Sequence, residues 1–353
     1  MIRTSLPNFS SLAVETPETF ARRILPEVSR TFALNIPVLP QPLDLVVTVA
    51  YLLCRIADTI EDEGVGPRGD LFGELAQLVA LPEGWAARSD EFVHDARRVL
   101  RPGAPIAELE LLDNTRTVLQ ALANLPVWTQ PFVARCVGTM AKGMDEITRG
   151  VHGRPAVDGL TSLDALMTYC YYVAGTVGEM LTALFIGHSD AARTIAGVLE
   201  PRARSFGRAL QLTNILKDVR EDLDRGVCWL PKDRLAAHGL TARTLALPER
   251  RAQAVALLDE LVGVARLEID RAFEYTLALP ESETGLRLFC LWPLFFAVLT
   301  LQMLEHNPAV FEPAPVKLTR ETISCVMAAT KQNVTSDTAL RALYHELQAR
   351  RAA

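Results

Sequence analysis

Apolar residues recur along this chain at helical spacing, i, i+3, i+4 and i+7, and alternating period-2 runs are scarce. The pattern predicts an all-α protein. Thr16-Pro17-Glu18 reads as an N-cap, a proline at the first helical position and a first-turn acid, opening a helix toward Leu25. Pro37, Pro40 and Pro42 interrupt the chain, after which an apolar helix runs from about Leu43 to a stop formed by Gly64, Gly66 and Pro67. Further helices are predicted over 71–80, 107–125, 132–148, 163–186, 190–199, 203–223, 250–277 and 285–305. Prolines 308, 313 and 315 mark a connector over 307–315, followed by a last helix from Thr319. These elements predict one domain over residues 1–353, with a mobile N-terminus at 1–15 and a segment at 307–353 folded back on it.

Composition narrows the class. A net charge of −6 gives no electrostatic support to nucleic-acid binding. The six cysteines are dispersed and form no C-x-x-C pair, which reads as reduced, mostly buried thiols in a cytoplasmic protein. Met1 to Ser11 holds one arginine and no apolar core, so no secretory signal is expected. The apolar run 289–304 falls short of the ~20 residues of a membrane span and is predicted to be a buried core helix. Gly64-Val65-Gly66-Pro67-Arg68-Gly69 matches G-x-G-x-x-G only formally, because it ends a helix and contains a proline instead of linking a strand to a helix.

The candidate chemistry lies in one pattern that occurs twice. Asp58-Thr59-Ile60-Glu61-Asp62 and Asp218-Val219-Arg220-Glu221-Asp222 both place acids at i, i+3 and i+4, on one face of a helix. Like charges there are destabilising unless a cation lies over them, and Mg²⁺ suits oxygen ligands shared with a phosphate. Tyr51 and Arg55 share the face of the first cluster, and its helix is otherwise apolar, so the charges need pairing or a metal. Asn214 stacks with Asp218 and Asp222 at i, i+4 and i+8, with Lys217, Arg220 and Arg225 nearby. A run such as 217–225 is by itself a common solvated face; its match to the first cluster favours a shared metal site.

Other features are less specific. In Ser29-Arg30-Thr31-Phe32 the arginine could meet a phosphate, and a helix-capping serine beside a surface arginine is an equal reading. Tyr169 and Tyr172 fall at i and i+3 ahead of Gly175 and Gly178, either as a face for a passing carbocation or as an aromatic core stripe.

Together these segments resemble the squalene/phytoene synthase family. Ser29 to Phe32, Tyr51 to Glu63, Tyr169 to Gly178, Gln211 to Pro231 and Phe289 to Leu301 match in order. Within the family, Asp-Thr-Ile-Glu-Asp-Glu, Tyr-Cys-Tyr-Tyr-Val-Ala-Gly and Val316-Lys317-Leu318-Thr319-Arg320 are similar to the squalene-forming branch. The resemblance implies an isoprenoid-synthase helical bundle around a central cavity, with two facing Asp-rich helices. It implies head-to-head condensation of two farnesyl diphosphates to presqualene diphosphate, then NADPH-dependent rearrangement and reduction to squalene. The alternative is a non-reducing relative that makes presqualene diphosphate, dehydrosqualene or phytoene.

By the same match, Asp58, Asp62, Asp218 and Asp222 would hold Mg²⁺, or Mn²⁺ in its place, with Glu61 and Glu221 completing the clusters. Ser29, Arg30, Arg55, Lys217, Lys317 and Arg320 would face phosphates of substrate or NADPH, and Phe32 and Arg225 would join the binding set. Tyr51 and Tyr169 would steer cation or proton, and Asn214 would support the second half-reaction. Two positions depart from the family pattern: Val227, often arginine, and Leu294, commonly glutamine. The C-terminal anchor of eukaryotic members is not seen, which implies a bacterial-type cytoplasmic enzyme, peripheral at the inner membrane face for product release, and a monomer or weak dimer.

Overall fold

The computed structural model describes residues 15–29, 31–66, 68–80, 85–154 and 158–349. Of the expected mobile N-terminus, 1–14 lie outside the described residues, and Glu15 pairs with Arg23 at 2.8 Å. The protein is all-α, apart from a two-residue antiparallel ladder between Gly153–Arg154 and Gly159–Leu160.

Six helices close a ring. Leu43–Glu63 packs on Gln130–Thr148, which packs on Thr176–His188, which packs on Ala203–Lys217. The last of these lies against Arg251–Ala278 and Thr284–Leu304. Thr284–Leu304 returns to Phe32–Asn35 and Ile36–Val38, which abut the start of Leu43–Glu63. Outside the ring, Pro17–Val28, Leu71–Ala80, Trp85–Val99 and Thr115–Asn124 cover one side, while Arg320–Asn333 and Asp337–Ala349 fold back onto Thr284–Leu304.

Local chemistry explains the ends that matter. Thr16 Oγ1 accepts from the Thr19 N–H, the expected N-cap, with proline next to it. Leu43–Glu63 buries Val46, Val49, Leu53, Ile56 and Ile60, and its polar residues gather at its C-terminal end. There Arg68 donates to the carbonyls of Ile60, Glu61 and Gly64, each at 2.9 Å, satisfying helix-end acceptors that would otherwise lack partners. The first carboxylate cluster is thereby held at a fixed, non-fraying terminus.

Several boundaries differ from the sequence reading. Trp85–Val99 and Lys232–Ala237 were not expected. Trp85–Val99 is charge-rich and buries only Ser89, Phe92 and Ala96, so its apolar stripe is too thin to read. The helix expected over 107–125 is two, Ile106–Asp113 and Thr115–Asn124, hinged at Asn114. The helix expected over 163–186 contains a π-helical turn, Tyr171–Gly175. The helix expected over 203–223 breaks at Asp218, whose φ of −98° and ψ of 12° close one helix and open Val219–Asp224.

The apolar run near 289–304 belongs to a 21-residue helix, Thr284–Leu304, so length does not exclude a span. Burial assigns it instead: 83% of its apolar window is inside the protein. Leu163–His188 is likewise long and apolar enough by composition, and is about half buried. The 307–315 connector is pinned rather than loose. Val310 and Phe311 are buried, the Phe311 carbonyl accepts from Arg220, and Glu312 pairs with Arg251.

Two helix crossings are too close for any side chain. A Cβ at Gly207 would strike the Ala174 carbonyl, and one at Gly178 would strike the Ala203 carbonyl. Gly207→Ala should therefore cost roughly 1–3 kcal/mol through overpacking. Gly263→Ala, in an exposed mid-helix position with nothing within 4 Å of its Cβ, should stabilise by up to about 1 kcal/mol. Urea denaturation midpoints check both, and equal midpoints for the two variants would contradict the close-crossing account.

Candidate functional site

The first wall of the site is the last two turns of Leu43–Glu63. Asp58 and Asp62 share one face with Arg55, whose Nη1 lies 3.8 Å from Asp58 Oδ2. Glu61 turns away from them: its Oε2 accepts a 3.0 Å hydrogen bond from the Tyr169 hydroxyl, and its Oε1 is buried without a partner. Asp58 and Asp62 keep about a third of their side-chain surface accessible, 33% and 36%. Burial, outweighing the Arg55 charge and reinforced by Asp62 and Glu108, pushes the Asp58 carboxyl up to about 7. Burial also raises Asp62, and raises Glu61 well above the usual carboxylate range with help from Asp62 and Asp58.

The second wall is Asp218 with Val219–Asp224. The break at Asp218 keeps the expected stacking, because the Asp218 N–H still bonds to the Asn214 carbonyl and the Asp222 N–H to the Asp218 carbonyl, both at 2.9 Å. Lys217 Nζ is 3.2 Å from Asp218 Oδ2. Asp222 is buried, and burial lifts it to about 6 against the pull of Arg225. Asp218 is raised by burial too, opposed by Lys217 and more weakly by Lys317. Glu221 is exposed, and Arg220 is spent on Asp224 and the Phe311 carbonyl.

One residue joins the walls. Arg225 Nη2 is 2.5 Å from Asp222 Oδ1, and its Nη1 is 3.6 Å from Asp62 Oδ1. A single guanidinium spans the two clusters, so they face each other across one cation's width. The ring of helices has thus brought together acids 160 positions apart in the chain, Asp62 and Asp222.

Residues 25–322 match the family described as squalene/phytoene synthase. The chain belongs to this family. A probable squalene synthase of Neurospora crassa is 27% identical over 88% of this chain and 62% of its own length. A phytoene synthase of Thermus thermophilus is 31% identical over 69% of each chain. The chain spans less than two thirds of the fungal relative's length. The solved structure of TcSQS with the ligand BPH1237 superposes with a TM-score of 0.77 at 26% identity, covering 96% of this chain and 93% of that one. A dehydrosqualene synthase structure, at 22% identity and a TM-score of 0.61, shares the fold.

The remaining predicted residues of this squalene/phytoene synthase family member fall around the two walls. The Tyr51 hydroxyl donates to the Val28 carbonyl at 3.3 Å, and its ring meets Phe32 at 5.2 Å. Ser29 accepts from the Phe32 N–H at 3.1 Å, the capping role weighed for it above. Arg30 lies outside the described residues. Asn214 is exposed beside Asp218. Lys317 and Arg320 are exposed and, among the described residues, form no ion pair. Tyr169 and Tyr172 do not share a face, because the π-turn rotates Tyr172 away to donate to Glu146 at 3.0 Å.

Three partners were missed by the sequence reading. Trp229 stacks flat on Tyr169, with centroids 4.2 Å apart and 8° between planes. Leu160 bridges to Pro231, tying the short ladder to the same loop. Glu108 holds Arg55 at 2.6 Å. Each contact is remote in sequence, and only the two aromatic neighbours carried any signal.

Among the described residues no three acids converge into a preformed cation cage. The donor set nevertheless fits Mg²⁺: Asp58 and Asp62 on one wall and Asp218 and Asp222 on the other are carboxylates raised by burial and by neighbouring acids. Mg²⁺ needs only one or two carboxylates where phosphate supplies the rest. A separate cleft of about 760 Å³ holds none of these residues, and its Arg271 and Arg341 are already paired to Glu268 and Glu274.

The raised acids give a signed pH dependence. Their folded values lie above the model-peptide value of 3.8 for aspartate, so between about pH 4 and 7 the folded state binds more protons than the unfolded one, and stability falls as pH rises. In chelator, Tm should drop from pH 5 to pH 8, and Asp58→Asn should flatten that slope. A scan in which wild type and Asp58→Asn share one slope would refute the buried-acid assignment.

Proposed function

We propose that this protein condenses two farnesyl diphosphates head to head to presqualene diphosphate and then reduces that intermediate to squalene with NADPH. The observation that carries the reading is the Arg225 bridge, because it marks two carboxylate walls one cation apart, in a chain of this family. Asp58, Asp62, Asp218 and Asp222 would hold Mg²⁺, with Glu61 and Glu221 beside them. Bound Mg²⁺ would stabilise the charge on the departing diphosphate.

The chain's own cations finish that task. Arg225, paired with Asp222 and Asp62, would turn to the diphosphate oxygens when those acids hold Mg²⁺. Arg55 and Lys217 flank the same space. As the C–O bond of one substrate breaks, the double bond of the second attacks the allylic carbon, and loss of a proton closes the cyclopropane. The Tyr169 hydroxyl, hydrogen-bonded to Glu61 and backed by Trp229, is set to relay that proton and to present an aromatic face to the cation. Tyr51, packed on Phe32, would steer the cation from the helix that carries Asp58. Ionisation of the cyclopropyl diphosphate would follow, with Asn214 supporting that half. The free cations Lys317 and Arg320, with Ser29 and Arg30, would take the phosphates of NADPH, which supplies the hydride that ends the reaction. Exclusion of water while substrate is bound would keep the cation from being captured as an alcohol.

A second reading has its own support. Val227 and Leu294 depart from the pattern for the reductive step, and the Thermus thermophilus relative is named a phytoene synthase. An enzyme that stops at presqualene diphosphate, dehydrosqualene or phytoene would fit both facts.

Product analysis separates them. Incubation with farnesyl diphosphate, Mg²⁺ and NADPH should yield squalene; without NADPH it should give presqualene diphosphate, alcohols or dehydrosqualene. An identical mixture with and without NADPH would remove squalene formation and leave the condensation. Asp58→Asn and Asp222→Asn should each abolish diphosphate release while Tm stays equal or rises, since each removes a carboxylate from a repelling cluster. Near wild-type release in either variant would overturn the two-wall mechanism.

A further inference from the structure

We propose that Glu108 is a positioning residue which aims Arg55 at the substrate diphosphate while leaving most of its hydrogen-bonding capacity free. The inference rests on the reading of the two walls as a diphosphate site. Glu108 sits in the first turn of Ile106–Asp113, outside both acid motifs, and its side chain is 12% exposed. Its Oε1 accepts from Arg55 Nη2 at 2.6 Å, while Oε2 lies 3.4 Å from Thr59 Oγ1, one turn further along the same helix.

The form of this ion pair is informative. Elsewhere in the chain arginines hold a carboxylate either with two nitrogens, as Arg23 on Glu15, Arg97 on Asp113, Arg101 on Glu63 and Arg341 on Glu274, or with one, as Arg22 on Asp44 and Arg266 on Glu305. Arg55 gives Glu108 one. Its Nη1 is 3.8 Å from Asp58, too far for a hydrogen bond, and its Nε is buried with no partner. A guanidinium has five donors, and four of these remain. Holding by one nitrogen removes the rotamer freedom of a long side chain without filling the fork that suits a phosphate. Glu108 also lies close enough to Asp58 and Asp62 to raise both, so it belongs to the field of the cluster and not to an outer surface.

The sign of the effect makes the test sharp. Removing a negative charge beside an anion site would, by charge alone, tighten anion binding; loss of aim would weaken it. Isothermal titration of the full-length protein with inorganic pyrophosphate and Mg²⁺ is measured for wild type, Glu108→Gln, Arg55→Gln and the double variant, with Tm recorded for each. Positioning predicts roughly tenfold weaker binding for Glu108→Gln in the Arg55 background and no weakening once Arg55 is gone. Unchanged or tighter binding for Glu108→Gln overturns the proposal, as does an equal loss in both backgrounds. Wild type failing to bind pyrophosphate would remove the diphosphate site itself and this proposal with it. If the cycle holds while the lipid product is not squalene, only the assigned product fails.

Discussion

The burial of carboxylates on two facing walls is the constraint around which this protein is arranged. Asp58, Asp62, Asp218 and Asp222 are raised chiefly by burial and less by neighbouring acids, and among the described residues Arg225 alone forms ion pairs with both walls. Such a site resists closing, so the scaffold must hold the walls at their spacing. Arg68 locks the end of the first wall through three carbonyls, and Glu63 is fastened to Arg101 by two nitrogens. The second wall is seated by the backbone-to-backbone crossings at Gly178 and Gly207. Rigidity at these points is the structural counterpart of the electrostatic strain between them.

Cations around the recess divide into two groups by how they are held. Arg55, Lys217 and Arg225 are each engaged by an acid of the walls or by Glu108, which keeps them in place and only partly neutralised. Lys317 and Arg320 are exposed beyond the second wall, on a segment whose upstream connector is pinned by buried Val310 and Phe311. Held cations suit a substrate whose charge must be stabilised at a defined point. Exposed ones are open to a ligand that arrives and leaves.

Much of the fold was legible because its signals are local. Thr16-Pro17 and the apolar periodicity of Leu43–Glu63 follow from hydrogen bonds and burial within a turn or two of each residue. The breaks were not legible for the complementary reason. Ala174 in the π-turn lies against Gly207 of a later helix, and no local propensity announces that turn or the interruption at Asp218. Trp85–Val99 escaped notice because so few of its residues face the core.

By itself the sequence determined that two sets of acids sit on helical faces, since the spacing i, i+3, i+4 is a property of one chain segment and helix geometry. It also determined that Tyr51 and Arg55 accompany the first set. Only the tertiary structure decided that the sets face each other, that Arg225 bridges them, that Glu61 answers to Tyr169, and that Glu108 holds Arg55. Those are contacts between residues far apart in the chain, set by how the helices pack into a ring. A spacing rule reaches as far as one helix, and a charge acts on whatever the packing brings beside it.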